Sequence, residues 1–80
     1  MERSEWESDT EKAVRHVIQG RGIVARQREC VERLARKGLD TIEAQRTLAL
    51  FTRTLDIFED DLRRILAAKK EQAAPRRGRP

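Results

Sequence analysis

The chain has no tyrosine, one cysteine, one histidine and only three aromatic rings, Trp6, Phe51 and Phe58. Strand-type alternation of apolar and polar residues is absent throughout, which together with the few rings excludes a sheet-based core. The lone Cys30 rules out an internal disulfide and fits a reducing compartment. Cys30 and the single His16 stand 14 residues apart, about 21 Å along a helix, so they cannot share a metal ion within one chain, and no further histidine or cysteine exists to complete a set. The longest apolar runs, Leu48 to Phe51 and Ile65 to Ala68, have four residues each, far below the roughly 20 that span a bilayer. No apolar run follows Met1-Glu2-Arg3-Ser4-Glu5, so a secretory signal is not expected either. A cytoplasmic location and no membrane association are the expectation.

What the chain does have is charge. Lys and Arg number 18 and Asp and Glu 14 among 80 residues, 40% of the whole, for a net of +4. With abundant Ala, Leu, Arg and Glu, this is the composition of long helices and coiled coils. The charge comes in blocks. Residues 1–11 carry five acids against Arg3, and residues 12–38 carry eight bases against Glu29 and Glu32. Residues 39–61 then hold six acids against Arg46 and Arg53, and residues 62–80 hold seven bases against Glu71. Alternation in sign favours association between segments as well as attraction to an outside polyanion.

Ser8-Asp9-Thr10-Glu11 reads as a capping box, with the Ser8 hydroxyl accepting from the Glu11 N–H and the Glu11 carboxylate accepting from the Ser8 N–H. A helix over about 9–37 follows, apolar or small at Ala13, Val17, Gly20, Val24, Val31 and Leu34, with Gln27 in the remaining slot of the 3-4 spacing. Arg36-Lys37-Gly38 supplies cations for the last carbonyls and a glycine for the left-handed position beyond them. Asp40-Thr41-Ile42-Glu43 reads as a second capping box, and Leu39 can staple onto Ala44. The spacing therefore predicts a tight turn at 38–40 and an antiparallel return helix over about 41–72. Its seam is Ala44, Leu48, Phe51, Leu55, Phe58, Leu62 and Ile65, a heptad pattern kept for three repeats. Residues 1–8 form a flexible acidic lead, and residues 73–80 a disordered basic tail.

Folding the chain back at Leu39 sets Val31 against Leu48, Gln27 against Phe51, Val24 against Leu55, Gly20 against Phe58, Val17 against Leu62 and Ala13 against Ile65. Small residues on the first helix meet large ones on the second, as interdigitation requires. On the flanks, Arg21 lies across from Glu59 and His16 near Asp61. The fold class is thus all-α, an antiparallel two-helix hairpin of coiled-coil type. Ile23, Cys30, Leu50, Ile57 and Leu66 fall off the seam and would be exposed in a single hairpin. They are the candidate oligomer surface, and pairing of two hairpins into a homodimeric four-helix bundle would cover them.

Candidate chemistry is sparse. Asp56 and Glu59-Asp60-Asp61 could suggest a cation site. Consecutive helical residues diverge by about 100°, however, and the inward positions are Leu55, Phe58 and Leu62, so a solvated acidic face is the expectation. Gly20-Arg21-Gly22 lacks the strand-turn-helix setting of a phosphate loop. No cofactor and no enzymatic activity are expected. Arg15, Arg26, Arg33 and Lys37 make a basic stripe on the outer face of the first helix, a candidate track for a phosphate backbone. The pairs Glu29–Arg33 and Glu32–Arg36 would partly neutralise it.

In the tail, Arg77-Gly78-Arg79-Pro80, preceded by Arg76, resembles the core of the AT-hook. That resemblance implies an extended Arg77-Gly78-Arg79 segment in the narrow minor groove of A·T-rich DNA. A second likeness is carried by His16-Val17-Ile18-Gln19-Gly20, Val24-Ala25-Arg26-Gln27-Arg28, Gly38-Leu39-Asp40-Thr41, Ala44 and Leu48-Ala49-Leu50-Phe51. Over roughly residues 13–66 the chain resembles a group of short, functionally uncharacterised proteins common in alphaproteobacteria. The resemblance implies a helix–turn–helix arrangement in a bacterial cytoplasm and no particular activity. Gly22 departs from that group's pattern, where a charged residue is expected, and a bend in the first helix there would follow. Two functions remain. One is a small structural or protein-interaction module acting as a homodimer, with an unidentified protein partner. The other is a small DNA-associated protein using the basic tail and stripe.

Overall fold

The computed structural model describes residues 8–73, with side chains to Gln72, and contains two helices. Helix α1 is Asp9–Arg36 and helix α2 is Ile42–Ala73, packed antiparallel as a hairpin, with no strand among the described residues. Neither helix is long and apolar enough to cross a membrane. The acidic lead before Ser8 and the basic tail beyond Ala73 lie outside the described residues.

Helix α1 begins where the capping box places it. The Glu11 N–H donates to Ser8 Oγ at 3.1 Å and the Ser8 N–H donates to Glu11 Oε1 at 2.9 Å, so two of the four orphan donors find partners. Asp9 and Glu11 sit in the first turn and Arg33 and Arg36 in the last, each sign matched to the helix dipole. At the far end, the Gly38 N–H donates to the Ala35 carbonyl at 3.0 Å and the Leu39 N–H to the Leu34 carbonyl at 2.9 Å. This pair of bonds is a Schellman motif, and it requires the left-handed backbone that Gly38 adopts at φ +73°.

The start of α2 differs from the expected capping box. Asp40 Oδ1 accepts from the Ile42 N–H at 2.9 Å, two residues on rather than three, and Glu43 turns outward to bind Arg46 at 3.2 Å. The cap position belongs to Thr41, whose carbonyl accepts from the Gln45 N–H at 2.8 Å and whose hydroxyl accepts from the Gln45 side chain at 2.8 Å. With Arg46 one turn ahead, the Glu43 carboxylate gains a cation instead of a backbone N–H. Leu39 is 55% exposed rather than stapled under the turn.

Every expected seam position is buried or half-buried: Ala13, Val17, Gly20, Val24, Gln27, Val31 and Leu34 on α1, and Ala44, Leu48, Phe51, Leu55, Phe58, Leu62 and Ile65 on α2. Among the described residues only Ala13, Val17 and Val24 are buried outright, and no large side chain is fully buried. The cause is geometric. Small side chains on α1 disappear under the large ones of α2, which project from a layer two helices thick and keep their outer edges in solvent.

The detailed meshing refines the residue-for-residue pairing. A Cβ on Gly20 would stand 3.1 Å from Leu55 Cδ1 and 3.6 Å from Phe58 Cδ2, so the glycine faces the gap between two residues, as knobs-into-holes packing demands. Gln27, expected across from Phe51, instead donates through Nε2 to the Ala44 carbonyl at 3.0 Å. A carbonyl keeps a second lone pair after its helical bond, so this polar seam residue is satisfied without breaking α2. His16, expected near Asp61 as a partner, stacks on the Phe58 ring with centroids 4.9 Å apart, while Arg64 takes the Asp61 carboxylate at 3.1 Å. Helix α1 runs through Gly22 without a break.

Three glycines thus sit in three environments and should respond differently to substitution. Nothing packed crowds Gly22, since its Cβ would meet only the flexible Arg26 side chain at 3.6 Å. Gly22→Ala should therefore raise stability by about 1 kcal/mol. Gly38→Ala should lower it by about 1–2 kcal/mol, because φ is positive there. Gly20→Leu should cost about 1–3 kcal/mol by wedging the helices apart. Urea denaturation followed by circular dichroism measures all three, and the three signs are the check.

Candidate functional site

Between the helices, one face of the hairpin opens into a groove of about 140 Å³. Its walls are His16, Gln19 and Ile23 from α1 and Phe51, Thr54 and Phe58 from α2, with Gly20 and Leu55 at its floor. A second recess of about 260 Å³ continues it away from the turn, sharing His16 and Phe58 and adding Lys12, Asp61 and Arg64 among its walls. Both lie on one side of the seam, so they define a single elongated face.

Helical spacing extends that face beyond the groove. On α1, Lys12, His16, Gln19, Ile23, Arg26 and Cys30 follow one another at steps of 4, 3, 4, 3 and 4, and Lys37 lies seven beyond Cys30. On α2, Glu43, Thr47, Leu50, Thr54, Ile57 and Asp61 do the same. Each row is a second heptad stripe beside the first, and each contains residues that line the groove. Four of the five expected oligomer-surface residues therefore share a face: Ile23, 39% exposed, the half-buried Cys30, Leu50, 60% exposed, and Ile57, 54% exposed.

Leu66 does not join them. It lies seven residues beyond Glu59, which reaches across the opposite face of the hairpin to Arg21. Arg21 is two residues, or about 200°, from the groove-lining Ile23. That ion pair, with Arg21 Nε and Nη2 each 3.2 Å from Glu59 Oε2, was expected from the flank spacing and forms. Among the exposed apolar residues that were missed, Val14 and Ile18, 39% and 63% exposed, flank a shallow depression on α1 away from the groove. Their i, i+4 spacing was the available signal.

The charged groups sort in the same way. Asp60 is bound by Arg63 and Arg64 and Asp61 by Arg64, so the acidic run of α2 is a surface ion-pair ladder. Among the described residues no group of three or more His, Cys, Asp or Glu is placed to hold a metal ion. Arg15, Arg26 and Arg33 on α1 and Lys37 just past its end are exposed. The neutralising pairs expected with this stripe, Glu29–Arg33 and Glu32–Arg36, do not form among the described residues. The other nucleic-acid candidates, Arg76, Arg77, Gly78 and Arg79, lie outside the described residues.

No family model, curated protein or solved structure matches the sequence.

The Arg21–Glu59 bridge joins the helices at a largely solvated site, with Arg21 66% and Glu59 28% exposed. A double-mutant cycle of Arg21→Ala and Glu59→Ala should return a coupling of roughly 0.2–1 kcal/mol, shrinking as salt is added. Thermal melts of the four proteins at two salt concentrations provide the measurement.

Proposed function

We propose that the chain is a small protein-interaction module that works as a homodimeric helical bundle. The observation that carries this reading is the shared face: Ile23, Cys30, Leu50 and Ile57 flank an open apolar groove whose floor is the seam itself. Exposed apolar side chains gathered along one face mark an interaction surface, whereas the same residues scattered would mean nothing. The hairpin also has a reason to associate. A two-helix layer with three buried residues among those described is short of core, and small helical domains commonly gain the rest from a second subunit. Covering a large aliphatic side chain is worth about 1.5–3 kcal/mol when complete, and a symmetric pair covers each such residue twice. The reading assigns no catalytic role to any residue and needs no cofactor.

The test is mass in solution. Light scattering should report twice the 9.3 kDa of the chain, and the melting temperature should rise with protein concentration. Leu50→Asp combined with Ile57→Asp should yield a monomer. A monomeric parent protein at all concentrations would remove the reading.

A second reading, DNA association, is favoured by one observation: Arg26, Arg33 and Lys37 project into solvent with no acidic partner among the described residues. Three phosphate contacts would give a slope of log affinity against log salt near −2.7 (about −0.9 per phosphate). Titration of A·T-rich and G·C-rich duplexes at several salt concentrations tests it. Affinity should drop, and any A·T preference vanish, on deleting residues 75–80. No binding at low salt would leave the first reading alone.

A further inference from the structure

We infer that the two copies pair through the grooved face with their turns at the same end, so that α1 of each lies across from α2 of the other. This rests on the homodimer reading and adds its geometry. Two hairpins laid face to face with their helices nearly aligned have two symmetric choices. If the two-fold axis runs parallel to the helices, the turns coincide and α1 crosses over to the partner's α2. If the axis runs across the helices, the turns lie at opposite ends and α1 stacks on the partner's α1.

The charges at the two ends of the face decide between them. Each stripe ends in charged residues: Lys12 on α1 and Lys37 just past its end, Glu43 and Asp61 on α2. Rotation about an axis parallel to the helices leaves every height unchanged, so groups level within one chain are level between chains. Lys12 and Asp61 wall the same recess, near the end of the face away from the turn. Lys37 and Glu43 both flank the turn. With the turns together, Lys12 approaches the partner's Asp61 and Lys37 approaches the partner's Glu43, two attractive pairs that symmetry doubles to four. With the turns apart, Lys12 approaches the partner's Lys37 and Glu43 approaches the end of the face that holds the partner's Asp61, and lysine meets lysine twice.

The segments between those ends agree with them. Residues 12–37 carry eight bases against two acids, and residues 43–61 carry five acids against two bases. Crossed stacking sets the basic segment of one chain on the acidic segment of the other; the alternative sets like on like. The far ends invert together, with Asp9 and Glu11 on α1 level with the Arg63 and Arg64 region of α2, so the crossed match persists along the bundle. In the single hairpin Glu43 and Asp61 are held by Arg46 and Arg64 in exposed pairs, which exchange for a partner's lysine at little cost. Between the charged ends, Cys30 and Ile23 of α1 fall against Leu50 and Ile57 of the partner's α2, at the same relative heights.

The experiment uses the full chain with Cys30→Ser and Ile42→Cys, carrying one spin label at the exposed position 42, beside the turn and away from the groove. Double electron–electron resonance reads the distance between the two labels of a dimer, and light scattering on the same sample reads its mass. With the turns together, the labels sit at equal height on a bundle whose helix axes are 8–10 Å apart, giving a distance of about 20–30 Å. With the turns apart they are displaced along the bundle by most of its length, giving about 40 Å or more at 1.5 Å rise per residue. The short distance supports the inference. The long distance in a dimer overturns it and leaves the homodimer reading standing. A monomeric mass with no dipolar signal overturns both.

Discussion

Two helices touch along one line, and each can hide only the stripe that faces the other. In this hairpin that line is occupied asymmetrically. Helix α1 supplies Ala13, Val17, Gly20 and Val24, and α2 supplies Leu55, Phe58, Leu62 and Ile65. The missing side chain at Gly20 lets Leu55 and Phe58 come within contact distance of the opposite backbone, which sets the separation of the helices near the middle of the seam. The small residues are thereby covered and the large ones only half so. The unfinished burial on α2, and the apolar residues just off the seam, are consequences of that single line of contact rather than separate features.

Charge follows a different logic. The ion pairs that form are exposed, and exposed pairs contribute little each to stability. Their arrangement still carries information, because sign patterns select among possible associations even where they do not tighten them. A basic α1 beside the acidic first part of α2, residues 43–61, makes the hairpin self-complementary within the chain, and the same blocks bias any larger assembly toward alternation of the two helix types.

Much of this was legible in the residues. Ser8 and Glu11 announced the start of α1, Gly38 its end, and the heptad of α2 its buried stripe; each is a local rule or a strict period, and each formed. What escaped was decided by competition. Asp40 and Glu43 had the spacing of a capping box, but Arg46 stood one turn ahead and took the carboxylate. His16 had an acid within reach, in the same recess, and stacks on Phe58 while Arg64 binds Asp61. Leu66 is exposed as expected, but it lies one heptad beyond Glu59, whose pairing with Arg21 marks the other side of the hairpin. The groove stripes were hidden by their polar members, Gln19, Thr47 and Thr54, which interrupt the apolar pattern while keeping its period.

The Schellman turn at Gly38 bears also on how the chain finds this shape. A loop of about five residues closes in well under a microsecond, and its ends arrive already pointed back along one another. Contacts next to the turn, such as Gln27 with Ala44, join residues 17 apart in sequence, whereas Arg21 and Glu59 are 38 apart. Chain-closure entropy grows with that separation, but slowly once nearer contacts have formed. The hairpin is accordingly a zipper with its slider at the turn: assembly runs from Gly38 outward, the Ala13–Ile65 end closes last, and it is the first to open.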